Sequence, residues 1–70
     1  MRETIESLLK RRPFEPFEIR MSNGDSVLVK HPESVVMMKT QVLVVYPEDD
    51  RFVFCALLHI ADVQRPMQAA

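Results

Sequence analysis

Two prolines, Pro13 and Pro16, constrain the fold of this chain more than any other feature of its sequence. Proline lacks a backbone N–H and pushes the preceding residue towards extended geometry, so the segment between them cannot be helical. Before Pro13, three apolar residues recur at helical spacing: Ile5, Leu8 and Leu9. After Pro16, apolar and polar residues alternate. The sequence therefore predicts one helix from Thr4 to Arg12, followed by strands.

The first two strands are predicted to form a hairpin at Asn23-Gly24, and the alternation decides its register. A three-residue loop with Gly24 in the left-handed region pairs Ile19 with Val27 and places both on one face. Further short apolar segments predict strands at about 34–39, 42–46, 51–55 and 59–64. The predicted fold class is α+β: one N-terminal helix and a five- to six-stranded, mostly antiparallel sheet, strongly bent or closed into a small barrel.

The length of the chain leaves room for a single domain, predicted over residues 1–64, with residues 65–70 as a frayed tail. The lone Cys55 cannot form an intramolecular disulfide, so folding depends on apolar burial or on a second copy of the chain. The expected core draws on the helix, the connector and alternate strand positions: Ile5, Leu8, Leu9, Phe14, Phe17, Ile19, Val27, Val29, Val44, Phe52, Phe54, Leu58 and Ile60.

Four short motifs carry a resemblance to other proteins. They are Arg12-Pro13-Phe14-Glu15-Pro16-Phe17-Glu18-Ile19, Asn23-Gly24, His31-Pro32-Glu33 and Leu57-Leu58-His59-Ile60. Together they resemble a group of small uncharacterised bacterial proteins of planctomycete-type genomes, with the pattern PFxPFxIxxxxG, VxHP and LLHI. The resemblance covers the chain to about residue 64 and implies no activity, cofactor or partner.

The predicted topology is similar to that of Sm-like and SH3-like small barrels. The likeness lies in a helix followed by a bent sheet with a short turn before the last strand, and it is one of architecture. His59-Ile60-Ala61-Asp62 stands where the Sm family has an Ile-Arg-Gly run. The likeness therefore does not extend to an RNA pocket of the Sm type.

Strands 34–46 are apolar on both faces, and this predicts self-association. One face fills the core, and three apolar residues on a short helix cover only part of the other. A homo-oligomer is expected, isologous if it is a dimer, with Met37 or Met38 near its axis. The predicted interface residues are Val35, Val36, Met37, Met38, Val42 and Leu43. The favoured function is a non-catalytic, self-associating protein-interaction module.

The alternative function is an Sm-like nucleic-acid binder. Its phosphate contacts would come from the basic residues near the helix end and on the first strand: Lys10, Arg11, Arg12 and Arg20. However, nine Lys and Arg against ten Asp and Glu give a net charge of −1, and such a balance produces no field that attracts a polyanion. Basic residues at a helix C-terminus are also favoured by the helix dipole without any ligand.

A third alternative is a small metal protein or enzyme built on His31, His59 and Cys55. No two of these residues have the sequence spacing of metal ligands, and the sequence shows no Ser-His-Asp or paired-carboxylate pattern. We therefore expect no catalytic residue, metal or cofactor. The polar start of the chain does not resemble a secretory signal, and no apolar run is long enough to span a membrane. The expected location is the cytoplasm.

Overall fold

The structure is a computed structural model and describes residues 1–65, which form one helix and six strands. The elements are α1 (Arg2–Lys10), β1 (Phe17–Met21), β2 (Ser26–Val29), β3 (Val35–Met37), β4 (Gln41–Tyr46), β5 (Arg51–Ala56) and β6 (Ile60–Gln64). Short 3₁₀ turns lie at Pro32–Ser34, Pro47–Asp49 and Leu57–His59. The helix begins two residues earlier than the predicted Thr4, with the Ile5 N–H donating to the Met1 carbonyl at 3.1 Å.

The strands form two antiparallel sheets of three strands each, in the orders β2-β1-β6 and β3-β4-β5. The α+β class with antiparallel pairing is confirmed, but the single bent sheet or closed barrel is wrong. The break falls at Pro32–Ser34, because proline cannot donate to a strand ladder. There the Ser34 hydroxyl donates to the His31 carbonyl at 2.8 Å, and the chain crosses to the second sheet.

The β1–β2 turn has the predicted register, with Ile19 opposite Val27 and Phe17 opposite Val29. Gly24 adopts φ +97°, a conformation that residues with a β-carbon rarely reach. The Gly24 N–H donates to the Met21 carbonyl at 3.0 Å. The hairpin therefore turns its apolar positions inward, as the alternation requires.

The core lies between the two sheets, and α1 contributes Ile5 to it. Leu8, Leu9 and Phe14 pack against this core while remaining half-buried. Three predicted core residues are wrong: Phe52, Phe54 and Leu58 are 63%, 50% and 89% exposed. On β5, Val53 and Cys55 face inward instead, because Val53 pairs with the buried Val44 and Cys55 with the buried Val42.

A tyrosine joins the two sheets. The Tyr46 hydroxyl, on β4, donates to the Leu28 carbonyl on β2 at 2.6 Å. Burial raises the pKa of Tyr46, and the Arg51 guanidinium, which lies 4.4 Å from the ring centroid, offsets part of that rise. Within residues 1–65, no helix is long and apolar enough to span a bilayer. Residues 66–70, most of the predicted tail, lie outside the described residues.

Candidate interaction surface

The outward side of the sheet β3-β4-β5 carries an apolar surface. On β4, Val42, Val44 and Tyr46 are buried, so the alternate residues face outward. Cross-strand pairing then assigns the outward residues of the other two strands, since paired residues share a face. We call the resulting set the outer apolar face: Val36, Met38, Gln41, Leu43, Val45, Phe52, Phe54 and Ala56.

The outer apolar face is uncharged, and four of its eight residues are exposed while the other four are half-buried. Its eight positions carry no charged side chain. Val36 is 51% exposed and Met38 43% exposed. Phe52 and Phe54 pack edge to face, with ring centroids 5.7 Å apart and planes at 85°. Such a contiguous apolar patch on a small protein is typical of a contact surface.

The other sheet provides a comparison within the same protein, because its outward side is mostly polar, with Leu28 opposite Glu18 as an apolar residue on it. Arg20 on β1 forms a two-bonded pair with Asp62 on β6, with the Arg20 Nη2 atom 3.0 Å from Asp62 Oδ2. This hydrogen-bonded pairing raises the pKa of Arg20. Beside it, Gln64 donates to Glu18 at 3.5 Å. One sheet of this protein thus has the ordinary water-facing side of an antiparallel sheet, and the other does not.

Helix α1 leaves the outer apolar face open. Its apolar side faces the core, where Ile5 is fully buried. The Arg2 guanidinium holds the start of the helix to the turn between β3 and β4, donating to the carbonyls of Met38 and Lys39. Near this end, Met1 and Leu58 flank a hollow of about 630 Å³. Arg2, Glu3 and Lys39 also line this hollow, so its surface is mixed.

The predicted interface residues divide between the two sides of the sheet. Val36, Met38 and Leu43 face outward. Val42 is fully buried, and the half-buried Val35 and Met37 pack against the core. Five members of the outer apolar face are absent from the predicted set: Gln41, Val45, Phe52, Phe54 and Ala56. Pairing Tyr46 with Arg51 across the turn at 47–50 would have identified them, since Val45 then faces Phe52 and Leu43 faces Phe54.

The predicted phosphate-binding residues do not form a common patch of free charge. Arg11 pairs with Glu15 at 3.6 Å, and Arg20 pairs with Asp62. The Arg12 guanidinium folds back onto the helix end, donating to the carbonyls of Leu9 and Arg11 at 3.1 and 2.7 Å. Lys10 is exposed at the end of α1. Two of these four residues therefore have a carboxylate within ion-pair distance.

His31, His59 and Cys55 are not brought together as a site. Both histidines are exposed, whereas Cys55 is 1% exposed, and burial raises the pKa of its thiol. Among residues 1–65, no three His, Cys, Asp or Glu side chains are grouped so as to hold a metal ion. Cys55 and His59 line a hollow of about 390 Å³ beside Asp25, yet no buried side-chain polar atom of the described chain lacks a hydrogen-bond partner.

Within residues 1–65, packing inside a single chain does not explain why apolar side chains cover the outer apolar face. Comparison with protein-family models, with curated proteins and with solved structures finds no match.

Proposed function

We propose that this chain is a non-catalytic protein-interaction module that self-associates through its outer apolar face. The observation that carries the proposal is the contrast between the two sheets. One has the Arg20–Asp62 ion pair and a Gln64–Glu18 hydrogen bond on its outward side. The other has eight uncharged positions, with Phe52 and Phe54 at least half exposed. Burying such side chains is favourable by a free energy of about 25 cal/mol for each Å² of apolar surface removed from water.

The expected strength follows from the size of the surface. Strands β4 and β5 have six residues each and β3 has three, and at a spacing of about 4.8 Å they give a footprint of at most roughly 14 by 20 Å. Two such faces would bury roughly 560 Å², which is below the ~1,000 Å² total of a stable interface and fits a weak, transient one. We therefore expect an association that depends on concentration and that a single charge on the face disrupts.

The experiment compares two matched variants that each add one carboxylate to an exposed strand position. Phe54→Glu places it on the outer apolar face, and Ser26→Glu places it on β2 opposite Arg20, on the polar sheet. Light scattering should give a dimer for the wild type and for Ser26→Glu, and a monomer for Phe54→Glu. Circular dichroism checks that both variants fold. A wild-type monomer, or a dimer that Phe54→Glu leaves intact, would refute the proposal.

The nucleic-acid alternative has weaker support. The ion pairs of Arg11 and Arg20 neutralise two of the four cations it requires. Binding by counterion release would make retention on an RNA column fall steeply as salt is added. We expect the wild-type chain to pass through such a column at about 0.15 M salt. Retention that is lost in Lys10→Ala/Arg12→Ala would favour the alternative.

A further inference from the structure

One hydrogen bond beyond the end of β5 shows which backbone groups of that strand point away from its sheet. The Leu57 N–H donates to the Thr40 carbonyl at 3.0 Å, and these two residues continue the register of β4 and β5. In an antiparallel pair, hydrogen-bonded and non-hydrogen-bonded residue pairs alternate along the strands. Counting back from Leu57, every second residue of β5 bonds to β4. The backbone N–H and C=O groups of Phe52 and Phe54 therefore point to the free edge of β5.

The other three edges of the two sheets are short, irregular or covered. β2 has four residues, and the Leu28 carbonyl on it already accepts the Tyr46 hydroxyl. β3 has three residues. The pairing of β6 with β1 has a register shift, and Val63 on β6 borders a hollow together with Leu8 and Pro16, so parts of the helix and the connector lie beside that strand. Short strands, irregularities and covering segments protect a sheet edge from pairing with another chain.

The free edge of β5 lacks such protection. β5 has six residues in an unbroken register with β4, and the segment 52–56 contains no charged residue and no proline. Beside it lie two hollows of about 390 and 260 Å³, both lined by Val53. Within residues 1–65, β5 pairs with β4 alone, and Phe52 and Phe54 are at least half exposed. An edge of this kind is a template for a further extended strand.

We infer that two copies pair their β5 strands antiparallel, edge to edge about a two-fold axis, and so join two three-stranded sheets into one continuous sheet. The inference rests on the proposed function, and the partner is a second copy of this chain. Because the other edges are short, irregular or covered, the edge of the second copy that matches β5 is β5 itself. Two stacked outer apolar faces bury too little area for a stable dimer, whereas backbone hydrogen bonds across an edge give affinity without a large apolar area.

The alternation of backbone groups limits how the two strands meet. The free-edge groups must face each other, so the two registers that overlap most of β5 place Phe54 opposite either Phe54 or Phe52 of the other copy. In both registers, aromatic side chains meet across the seam on the outer apolar face, where cross-strand neighbours stabilise a sheet. Leu43 stands directly behind Phe54 on β4. The two outer apolar faces then lie side by side and form a single wider face.

The first test compares two substitutions of the same ring. Phe54→Ala and Phe54→Pro both remove the aromatic side chain, but proline also removes the N–H, which bonds across the seam and not to β4. Proline is tolerated where an edge N–H points away from the sheet, and circular dichroism checks that both variants fold. In sedimentation, the dissociation constant should be at least about tenfold larger for Phe54→Pro than for Phe54→Ala, because each copy loses a backbone bond.

The second test locates the seam with cysteines at exposed positions and glutathione disulfide, which is reduced as each link forms. Opposed residues of a hydrogen-bonded antiparallel pair have Cα atoms about 5.5 Å apart, within the range that a disulfide spans. Phe54→Cys, alone or mixed with Phe52→Cys, should give a linked dimer. Val36→Cys, 51% exposed on the far strand β3, should not. The wild type, whose Cys55 is buried, is the blank.

The results separate edge pairing from the proposed function. A Phe54→Pro variant that associates as tightly as Phe54→Ala would overturn edge pairing, while the proposed function stands. The same holds if the wild type dimerises but Val36→Cys links as readily as the cysteines on β5, or if no variant links at all. A wild type that is monomeric at every concentration would overturn both.

Discussion

Phe52 and Phe54 stand edge to face on the outward side of β5, two residues apart, with their ring centroids 5.7 Å from each other. Each ring shields part of the other, yet both keep at least half of their surface in contact with water. Paired aromatics contribute stability beyond their buried area and are the residues that anchor interfaces. In this chain they occupy the edge of an uncharged sheet face.

Thermal unfolding should depend on protein concentration. Association of folded chains stabilises the folded state by mass action, so the Tm of the wild type should rise as concentration rises. The Tm of Phe54→Glu should not change over the same range, because the variant cannot associate. Differential scanning calorimetry over a hundredfold dilution series makes the comparison. Equal concentration dependence in the two proteins would contradict the role of Phe54.

Two neighbouring residues on β4 should separate folding from association. Val42 is fully buried, whereas Leu43 lies on the outer apolar face. Val42→Ala should lower the free energy of unfolding by about 2 kcal/mol, because it leaves a cavity in the core. Leu43→Ala should cost the monomer less than about 1 kcal/mol and should weaken the dimer. Urea titration at low concentration, together with light scattering at high concentration, measures both effects.

Replacing Gly24 should test the hairpin register. No atom lies within 4 Å of a β-carbon built at this position, so the cost of Gly24→Ala comes from its φ of +97° alone. We expect a loss of about 1 kcal/mol in the free energy of unfolding. Gly24→Asn should cost less, since asparagine tolerates positive φ better than alanine does. An alanine variant as stable as the wild type in urea would mean that the turn adopts another conformation.

The bond between Tyr46 and Leu28 should contribute to the docking of the two sheets. Tyr46→Phe removes the hydroxyl and leaves the Leu28 carbonyl without this donor. The expected loss is about 1 to 2 kcal/mol in the free energy of unfolding, with the midpoint shifted and the denaturant slope unchanged. A change within about 0.5 kcal/mol would show that the bond adds little to the stability of the protein.

Stability should fall in alkaline solution. Burial raises the pKa of Cys55 and of Tyr46, the one cysteine and the one tyrosine of the chain. Both groups are neutral when protonated, so the unfolded chain releases these protons at lower pH than the folded chain does. Their contribution is complete below about pH 8 and is lost as pH rises from about 9 through the raised folded-state pKa values.

The matched control for that pH dependence is Tyr46→Phe. In this variant the free energy of unfolding should still decline from about pH 9, where Cys55 acts, and should lose the further decline from about pH 10, where Tyr46 acts. Urea midpoints measured between about pH 7 and pH 11 provide the readout. A stability that rises across this range would contradict the burial of both groups.

The sequence predicted the positions of the strands well, but the buried face predicted for β5 was the wrong one. The register of β1 and β2 was predictable because, with Gly24 in the turn, one loop length sets Val27 and Val29 opposite the apolar residues of β1. Apolar residues occupy both faces of β5, so alternation alone does not tell which face is buried. The larger side chains of Phe52 and Phe54 favoured the wrong face over Val53 and Cys55. The pairing with β4 decides otherwise, since Val44 and Val42 are already inside.

The division into two sheets was not accessible from the sequence. Pro32 indicates a break in strand pairing, but whether the chain then bends within one sheet or begins another depends on distant contacts. The bond from Tyr46 to Leu28 is one of these contacts, and nothing local to either residue predicts it. The same limit applies to the outer apolar face, which exists only once β3, β4 and β5 are paired.

The most direct test of the account is sedimentation of the wild-type chain between about 10 µM and about 1 mM, a range that spans weak to moderate affinities. We expect the mass to rise with concentration from that of the 8.1 kDa chain towards twice that value. Phe54→Glu should stay at the lower mass throughout. A wild-type chain that sediments as a monomer at every concentration would contradict self-association and the function proposed from it.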